Sequence, residues 1–189
     1  MSRLMKLTYL NIQVFMLPIP KHLKDILHPT GNKNNEKQVS GQIICPCGSD
    51  TFIIKYVGDD KEFEHLNAVC HIQIGESFYL IVNAECVTCK TDHLIFDGHL
   101  HGWDGYGSRE DWIDKVKPDG ILYVCRKCKA DTHSLNLVIN SQGQEDFISE
   151  GGPEYDKEDW VEAFEWITLS TICKNCNTVT KEWIDCETM

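Results

Sequence analysis

The sequence has no uninterrupted apolar run of the roughly 18 residues that a membrane-spanning helix needs. Its first residues are basic, but the stretch that follows carries Asn11 and Gln13 and has no small-residue cleavage site, so no secretory signal is expected. From these absences we expect a cytoplasmic protein that has no membrane contact and keeps its cysteines reduced.

Basic residues are also scarce. The 18 Lys and Arg stand against 29 Asp and Glu, which gives a formal net charge of −11. Because affinity for phosphate backbones comes mainly from Lys and Arg, this balance disfavours a general nucleic-acid binder. The acidic side chains concentrate between Glu145 and Glu165, where nine carboxylates face one lysine, Lys157. Such a segment favours a protein partner, and a basic one.

What the sequence has in excess is cysteine, with ten in 189 residues. Two cysteines joined by a tight turn can aim both sulfurs at one tetrahedral ion, and a second such turn completes a four-sulfur shell. Zinc suits this shell because it is borderline-soft and imposes no geometry of its own. The sequence therefore predicts two structural Zn²⁺ sites, with these ligands: Cys45, Cys47, Cys86 and Cys89 for the first; Cys125, Cys128, Cys173 and Cys176 for the second.

The first of these sites is irregular, because only Pro46 separates Cys45 from Cys47. Gly48 follows the second cysteine, as it does in zinc-binding turns where a backbone amide must approach the sulfur. We expect Cys45 to bind in a distorted turn. The alternatives for its place are Cys70, His71 and His93.

The second site is regular, although a disulfide or an iron–sulfur site is also compatible with its cysteines. Two cysteines remain outside both sites. Cys70 lies in an apolar run and is expected to be a buried small side chain. Cys186 lies in a polar segment and is expected to be a free thiol.

The chain also shows a possible internal repeat, because Cys47-Gly-Ser-Asp-Thr51 is echoed by Cys128-Lys-Ala-Asp-Thr132. A β-rich segment and a second cysteine pair follow in each half, and an aromatic residue stands seven positions after each closing pair, Phe96 and Trp183. We predict an α+β fold that is mostly β, built from tandem zinc-ribbon-like β-hairpin modules with short helices. The expected segments are an N-terminal arm (1–40), a first module (41–107), a helical connector (108–119) and a second module (120–189).

Three elements outside the cysteine pairs are predicted by local pattern. Leu7 to Leu17 favours a strand, with a turn and a short helix after it. The connector favours a helix that begins at Ser108 and stops at Pro118. In the acidic segment, the spacing of Trp160 with Phe164 and of Ala163 with Ile167 predicts a helix that buries one stripe.

The segments CPCG, CVTC, CRKC and CKNC, each beside strand-like residues, resemble the metal-binding turns of zinc-ribbon and rubredoxin-knuckle proteins. The likeness is greatest to uncharacterised zinc-ribbon proteins of bacteria. It covers residues 41–189 in pattern and only the cysteine turns in detail. It implies a β-hairpin fold and structural metal, but no single activity, because zinc ribbons serve in transcription factors, ribosomal proteins, enzymes and adaptors.

A Gly-rich loop at 92–107 holds His99, His101 and Asp104, a set that in other settings binds a catalytic metal. The alternative is that the loop packs over its own hairpin with its histidines satisfied by backbone groups. No phosphate-binding loop or HExxH motif accompanies it. The leading hypothesis is therefore a non-enzymatic zinc-binding interaction module. A metal-dependent enzyme using this loop and a nucleic-acid-binding ribbon are the alternatives, the latter resting on the basic N-terminal arm and on Lys127, Lys129 and Lys174.

Overall fold

The computed structural model describes residues 17–63, 66–151 and 155–188. These residues form thirteen strands: β1 (Leu27–Pro29), β2 (Gln38–Ile43), β3 (Phe52–Val57), β4 (Asp59–Phe63), β5 (Leu66–Cys70), β6 (Ile72–Ile74), β7 (Ser77–Tyr79), β8 (Ile81–Cys86), β9 (Asp92–Asp97), β10 (Ile121–Leu122), β11 (Thr132–Asn140), β12 (Trp166–Cys173) and β13 (Val179–Glu187). The helices are α1 (Gly102–Trp112), α2 (Gln144–Gly151) and two 3-10 segments, Lys21–Leu23 and Lys157–Val161. The predicted mostly β, α+β class is confirmed.

Nine of these strands join in one antiparallel sheet, and β11 lies at its centre. On one side β11 pairs along its length with β12, which in turn pairs with β13. On the other side β11 pairs first with the start of β3 and then with β2. Strands from both halves of the sequence therefore alternate in a single sheet. The boundaries expected from the sequence at 40, 107 and 119 remain a prediction.

The main hydrophobic core draws on both halves as well. Phe52, Ile54 and Phe96 pack in the same buried cluster as Leu135, Leu169 and Trp183, and all six are at most 1% exposed. A separate small cluster forms beside the helices, in which Phe147, Trp160, Val161 and Ala163 are buried against Trp103, Tyr106 and Tyr155. The fold thus has a sheet core and a helical sub-core.

Several strands lie where alternating or β-branched residues predicted them. The segment FIIKYV is β3, the segment WITLSTI lies in β12, and HSLNLVIN lies in β11. Each closing cysteine pair joins two antiparallel strands, β8 to β9 and β12 to β13. The aromatic residues after these pairs, Phe96 and Trp183, are both buried. The strand predicted at Leu7 to Leu17 falls almost entirely outside the described residues.

The predicted connector helix is displaced in the structure. Helix α1 begins at Gly102 and ends at Trp112, so the last six residues of the expected loop are helical and its first six form β9. Ser108 lies inside the helix, with its hydroxyl bonded to the Asp104 carbonyl oxygen. The physical reason is a tertiary contact. The amides of Trp103 and Asp104 donate to the carbonyl oxygens of Phe164 and Thr188, which satisfies the first helical N–H groups from outside the helix.

The predicted acidic helix is also wrong in extent. The Trp160 region is a short 3-10 segment, and Ile167 already belongs to β12. Trp160, Ala163, Phe164 and Ile167 are nevertheless all buried, as their apolar character predicted. In the part of the chain that the structure describes, no helix is long and apolar enough to cross a membrane.

A left-handed backbone and close packing together explain the glycine at the start of α1. Gly102 has φ +79°, and a Cβ added to it would lie 2.3 Å from Thr188 Cβ. Gly107, in the same helix, has open space around it and no left-handed backbone. The structure therefore requires glycine at Gly102 but not at Gly107.

We predict that Gly102→Ala lowers the free energy of unfolding by about 2–4 kcal/mol, because backbone strain and a steric clash add. Gly107→Ala is the matched control and should raise the free energy of unfolding by about 0.5–1 kcal/mol, because alanine favours the helix. Urea unfolding followed by circular dichroism measures both. Equal effects of the two substitutions would contradict this account of α1.

Candidate metal centres

The structure brings eight of the ten cysteines into two groups of four. The first cluster is Cys45, Cys47, Cys86 and Cys89, and the second cluster is Cys125, Cys128, Cys173 and Cys176. Within each cluster the four sulfurs all lie within 4.8 Å of one another. Cys70 and Cys186 lie outside both clusters as free thiols.

The sulfur separations match a tetrahedral ion. Two Sγ–Sγ distances in the first cluster are 3.4 Å for Cys45 and Cys89 and 3.6 Å for Cys47 and Cys86. Two in the second cluster are 3.6 Å for Cys125 and Cys176 and 3.5 Å for Cys128 and Cys173. Four sulfurs about 2.3 Å from a central zinc would be about 3.8 Å apart. A disulfide would need sulfurs about 2.05 Å apart, so these contacts are not disulfides. Both clusters could hold a metal ion.

The turn within each regular cysteine pair has one common geometry. In the Cys86 turn, the Cys86 amide donates to Thr91 O and the Lys90 amide donates back to Cys86 O. Lys90 takes a left-handed backbone, φ 63°. The Cys125 and Cys173 turns repeat this pattern, with the left-handed position filled by Lys129 (φ 62°) and Asn177 (φ 56°).

The irregular Cys45 turn is the same structure shortened by one residue. The Cys45 amide donates to Ser49 O, and the Gly48 amide donates back to Cys45 O. Gly48 fills the left-handed position with φ 87°. The turn is therefore one residue shorter than the other three, and the Cys45 sulfur still lies beside the other three thiols of the cluster. This explains why a Cys-Pro-Cys spacing can serve where two residues are usual.

The first cluster contains thiols of opposite acidity. Burial raises the pKa of the Cys45 thiol to about 12. Burial also opposes ionisation of Cys86, but amide donors from Cys89 and Thr88 outweigh it and lower its pKa to about 6. Four neighbouring thiols cannot all become anions beside one another without a cation. The donor set thus fits a divalent ion, which removes that conflict.

The second cluster shows the same division. Burial raises the pKa of Cys173 to about 11. The hydroxyl and amide of Thr178 lower the pKa of Cys176 to about 6. The equivalent threonine of the first cluster is Thr91, whose hydroxyl lies 3.3 Å from the sulfur of Cys89. Sequence reasoning missed both threonines, although each stands two residues after the last cysteine of its closing pair.

His93 is the one alternative ligand that reaches a cluster. Its Nε2 lies 3.3 Å from the sulfur of Cys45, in position to donate to a thiolate. Because Cys45 is the fourth thiol of the first cluster, His93 lies outside the four-sulfur group and contacts it through Cys45. Neither Cys70 nor His71 belongs to a cluster.

The two clusters sit at the same end of the sheet. Phe52 is paired with Cys86 on one side and with His133 on the other, and His133 is paired with Cys173. One row of residues across four strands therefore links the two clusters, and three strand spacings put them about 14 Å apart. The Lys174 ammonium also contacts the Asp50 carboxylate, with 3.0 Å between Nζ and Oδ1.

The histidine loop does not form a comparable site. His101 is buried, stacks on His22 with 3.6 Å between ring centroids, and accepts a hydrogen bond from the Asp97 amide. His99 stacks on Trp112 instead, and Asp104 is exposed. Among the described residues, no group of three metal-binding side chains includes His99, His101 or Asp104.

No protein-family model matches this chain, and no curated protein or solved structure matches it either.

The buried stack of His22 on His101 predicts sensitivity to acid. Burial lowers the pKa of His22 from 6.5 to about 4, so the unfolded chain takes up the proton first as the pH falls. The free energy of unfolding should therefore decrease between pH 6.5 and pH 4, by up to about 3 kcal/mol from this residue. Urea unfolding at several pH values in excess zinc, compared with His22→Phe, isolates the contribution. Identical pH dependence in the two proteins would contradict it.

Proposed function

We propose that this chain is a non-enzymatic zinc-binding protein that acts as a protein-interaction module. The observation that carries the proposal is the pair of four-thiol clusters at one end of a single sheet. All eight clustered cysteines act as zinc ligands in this proposal, two zinc ions being held per chain. The ions are structural, because each cluster offers four protein donors and leaves no position for a substrate.

Zinc is proposed on the chemistry of the donors. Tetrahedral sulfur sites suit zinc or iron, and zinc adds no redox chemistry to a structural role. Thiolates must stay reduced to bind it, so we place the protein in the cytoplasm, where thiols are kept reduced. The sequence resemblance to zinc-ribbon and rubredoxin-knuckle turns supports the same choice.

The interaction role rests on the surface opposite the metal end. Strand β11 runs from Thr132 beside the clusters to Asn140, eight residue steps away, or about 27 Å. The acidic segment that follows and helix α1 lie at that far end, where Trp103 and Asp104 bond to Phe164 and Thr188. A surface of this charge suits a basic partner, with complementarity acting mainly on the association rate.

Nucleic-acid binding gains no specific support from the structure. Of the basic side chains near the second cluster, Arg126 forms an ion pair with Asp60 and Lys174 forms one with Asp50. Those carboxylates would repel phosphates from the same surface.

Native mass spectrometry tests the metal part of the proposal. We predict two zinc ions per chain in the parent protein and one in Cys45→Ser, because a serine hydroxyl does not replace a thiolate. The variant should also lose more than about 3 kcal/mol of folding free energy, since zinc binding contributes directly to folding. Cys70→Ser is the matched control and should keep two ions. Two zinc ions in Cys45→Ser would show that the first site does not need the Cys45 thiolate, and iron or no metal in the parent would overturn the zinc assignment.

Affinity capture tests the interaction part. The zinc-loaded chain should retain a reproducible protein partner from a native extract, and added salt should release it because the attraction is between charges. Recovery of no reproducible partner at low salt would refute the interaction role. The zinc count would stand independently of that result.

A further inference from the structure

A groove runs along the exposed side of α1 at the end of the sheet remote from the metal clusters. It has a volume of about 410 Å³, is open to solvent, and lies between the second half of the helix and Tyr155. The lining residues are Tyr106, Gly107, Ser108, Arg109, Glu110, Asp111 and Tyr155.

Two tyrosine rings form a corner in the groove. The rings of Tyr106 and Tyr155 are 5.4 Å apart between centroids and inclined at 62°. Both pack on the fully buried ring of Phe147, which fixes them from behind. The Tyr106 hydroxyl also donates to Asp159, at 3.2 Å. The aromatic faces are thus positioned before any ligand arrives.

The charge around this corner is negative. Glu110 and Asp111 line the groove and are exposed. The one cation among the lining residues, Arg109, lies over the Tyr106 ring at 5.3 Å and faces the buried Glu162 carboxylate. Its Nε is buried, so that atom does not face the open groove. Burial and the neighbouring Asp159 raise the pKa of Tyr106 to about 12, which keeps this ring neutral.

We propose that this groove binds a lysine or arginine side chain of a basic peptide segment in the protein partner. A cation gains from the Tyr155 ring and from the two carboxylates, since Arg109 already lies over the Tyr106 ring. A phosphate or an acidic peptide would be repelled by the same carboxylates. Helix α1 already shows the same type of contact, because the Lys115 ammonium lies 3.9 Å from the Trp112 ring centre. The inference rests on the proposed function and specifies which surface and which partner chemistry it uses.

Fluorescence anisotropy on the full zinc-loaded chain tests the groove. The probe is a short fluorescein-labelled peptide in which lysines alternate with glycine and serine, alongside arginine and glutamate versions. We expect the lysine and arginine peptides to bind and the glutamate peptide not to bind. In the double variant Glu110→Gln/Asp111→Asn, the affinity should fall up to about tenfold, which is the size of effect that the loss of two exposed charge contacts provides.

The control is Asp114→Asn/Asp119→Asn, which changes the net charge equally at exposed positions outside the groove. Its affinity should fall by less than that of the groove variant, because neither side chain lines the groove and salt weakens their attraction for the peptide. Tyr155→Ala should weaken binding as well. If Tyr155→Ala does not fold, the peptide affinity of the Glu110→Gln/Asp111→Asn variant decides the test.

Equal losses in the groove variant and the control would overturn the proposal, since the peptide would then respond only to overall charge. Absence of lysine-peptide binding, or tighter binding of the glutamate peptide, would overturn it too. These failures differ from a failure of the proposed function. A chain that holds two zinc ions and captures a partner regardless of the groove variants would keep its function and lose only this binding site.

Discussion

The constraint on which this structure depends is the repulsion that four neighbouring cysteine sulfurs would exert on one another if all of them ionised to thiolates. In each cluster, burial raises the pKa of one thiol while amide and hydroxyl donors lower that of another, so a metal-free cluster holds mixed protonation states. A divalent ion is the simplest group that lets all four become thiolates together. The sheet gathers the cysteine turns at one end, so the fold itself places four sulfurs where each cluster could hold a metal ion.

The sheet also connects the two clusters through a row of paired, buried residues. Phe52 and His133 are both buried and form the row that separates Cys86 from Cys173. Since β11 pairs with β3, β2 and β12, neither half of the sequence can complete its sheet without the other. Distortion at one cluster therefore has to pass through two packed strands to reach the other. The shared core, rather than a flexible linker, holds the clusters at their separation.

The features that the sequence predicted are local ones. Strands β3, β11 and β12 follow from β-branched runs, and the grouping of the cysteines follows from their spacing. The features that it missed depend on contacts between distant residues. Helix α1 starts early because Phe164 and Thr188 accept hydrogen bonds from its first amides, and no local pattern contains that information. The position of β11 between β2 and β3 is likewise a long-range pairing. The sequence predicted that the Cys45 sulfur belongs to the first cluster, but not the shape of its turn. The one-residue shortening follows from the hydrogen bond between the Gly48 amide and the Cys45 carbonyl oxygen.

The cysteine clusters and the acidic segment lie at opposite ends of the sheet. Each four-thiolate site with a divalent ion carries a net charge of about −2, and exposed Lys127, Lys129 and Lys174 lie in the turns of the second cluster. The acidic segment is attached at the opposite ends of β11 and β12, well beyond a Debye length from those sites. The carboxylates of the acidic segment are therefore too far away to increase the negative charge at the thiolates. Under the proposed function, a basic partner bound at the acidic end would lie away from both thiol clusters, so it would not compete for a metal ion that these clusters could hold.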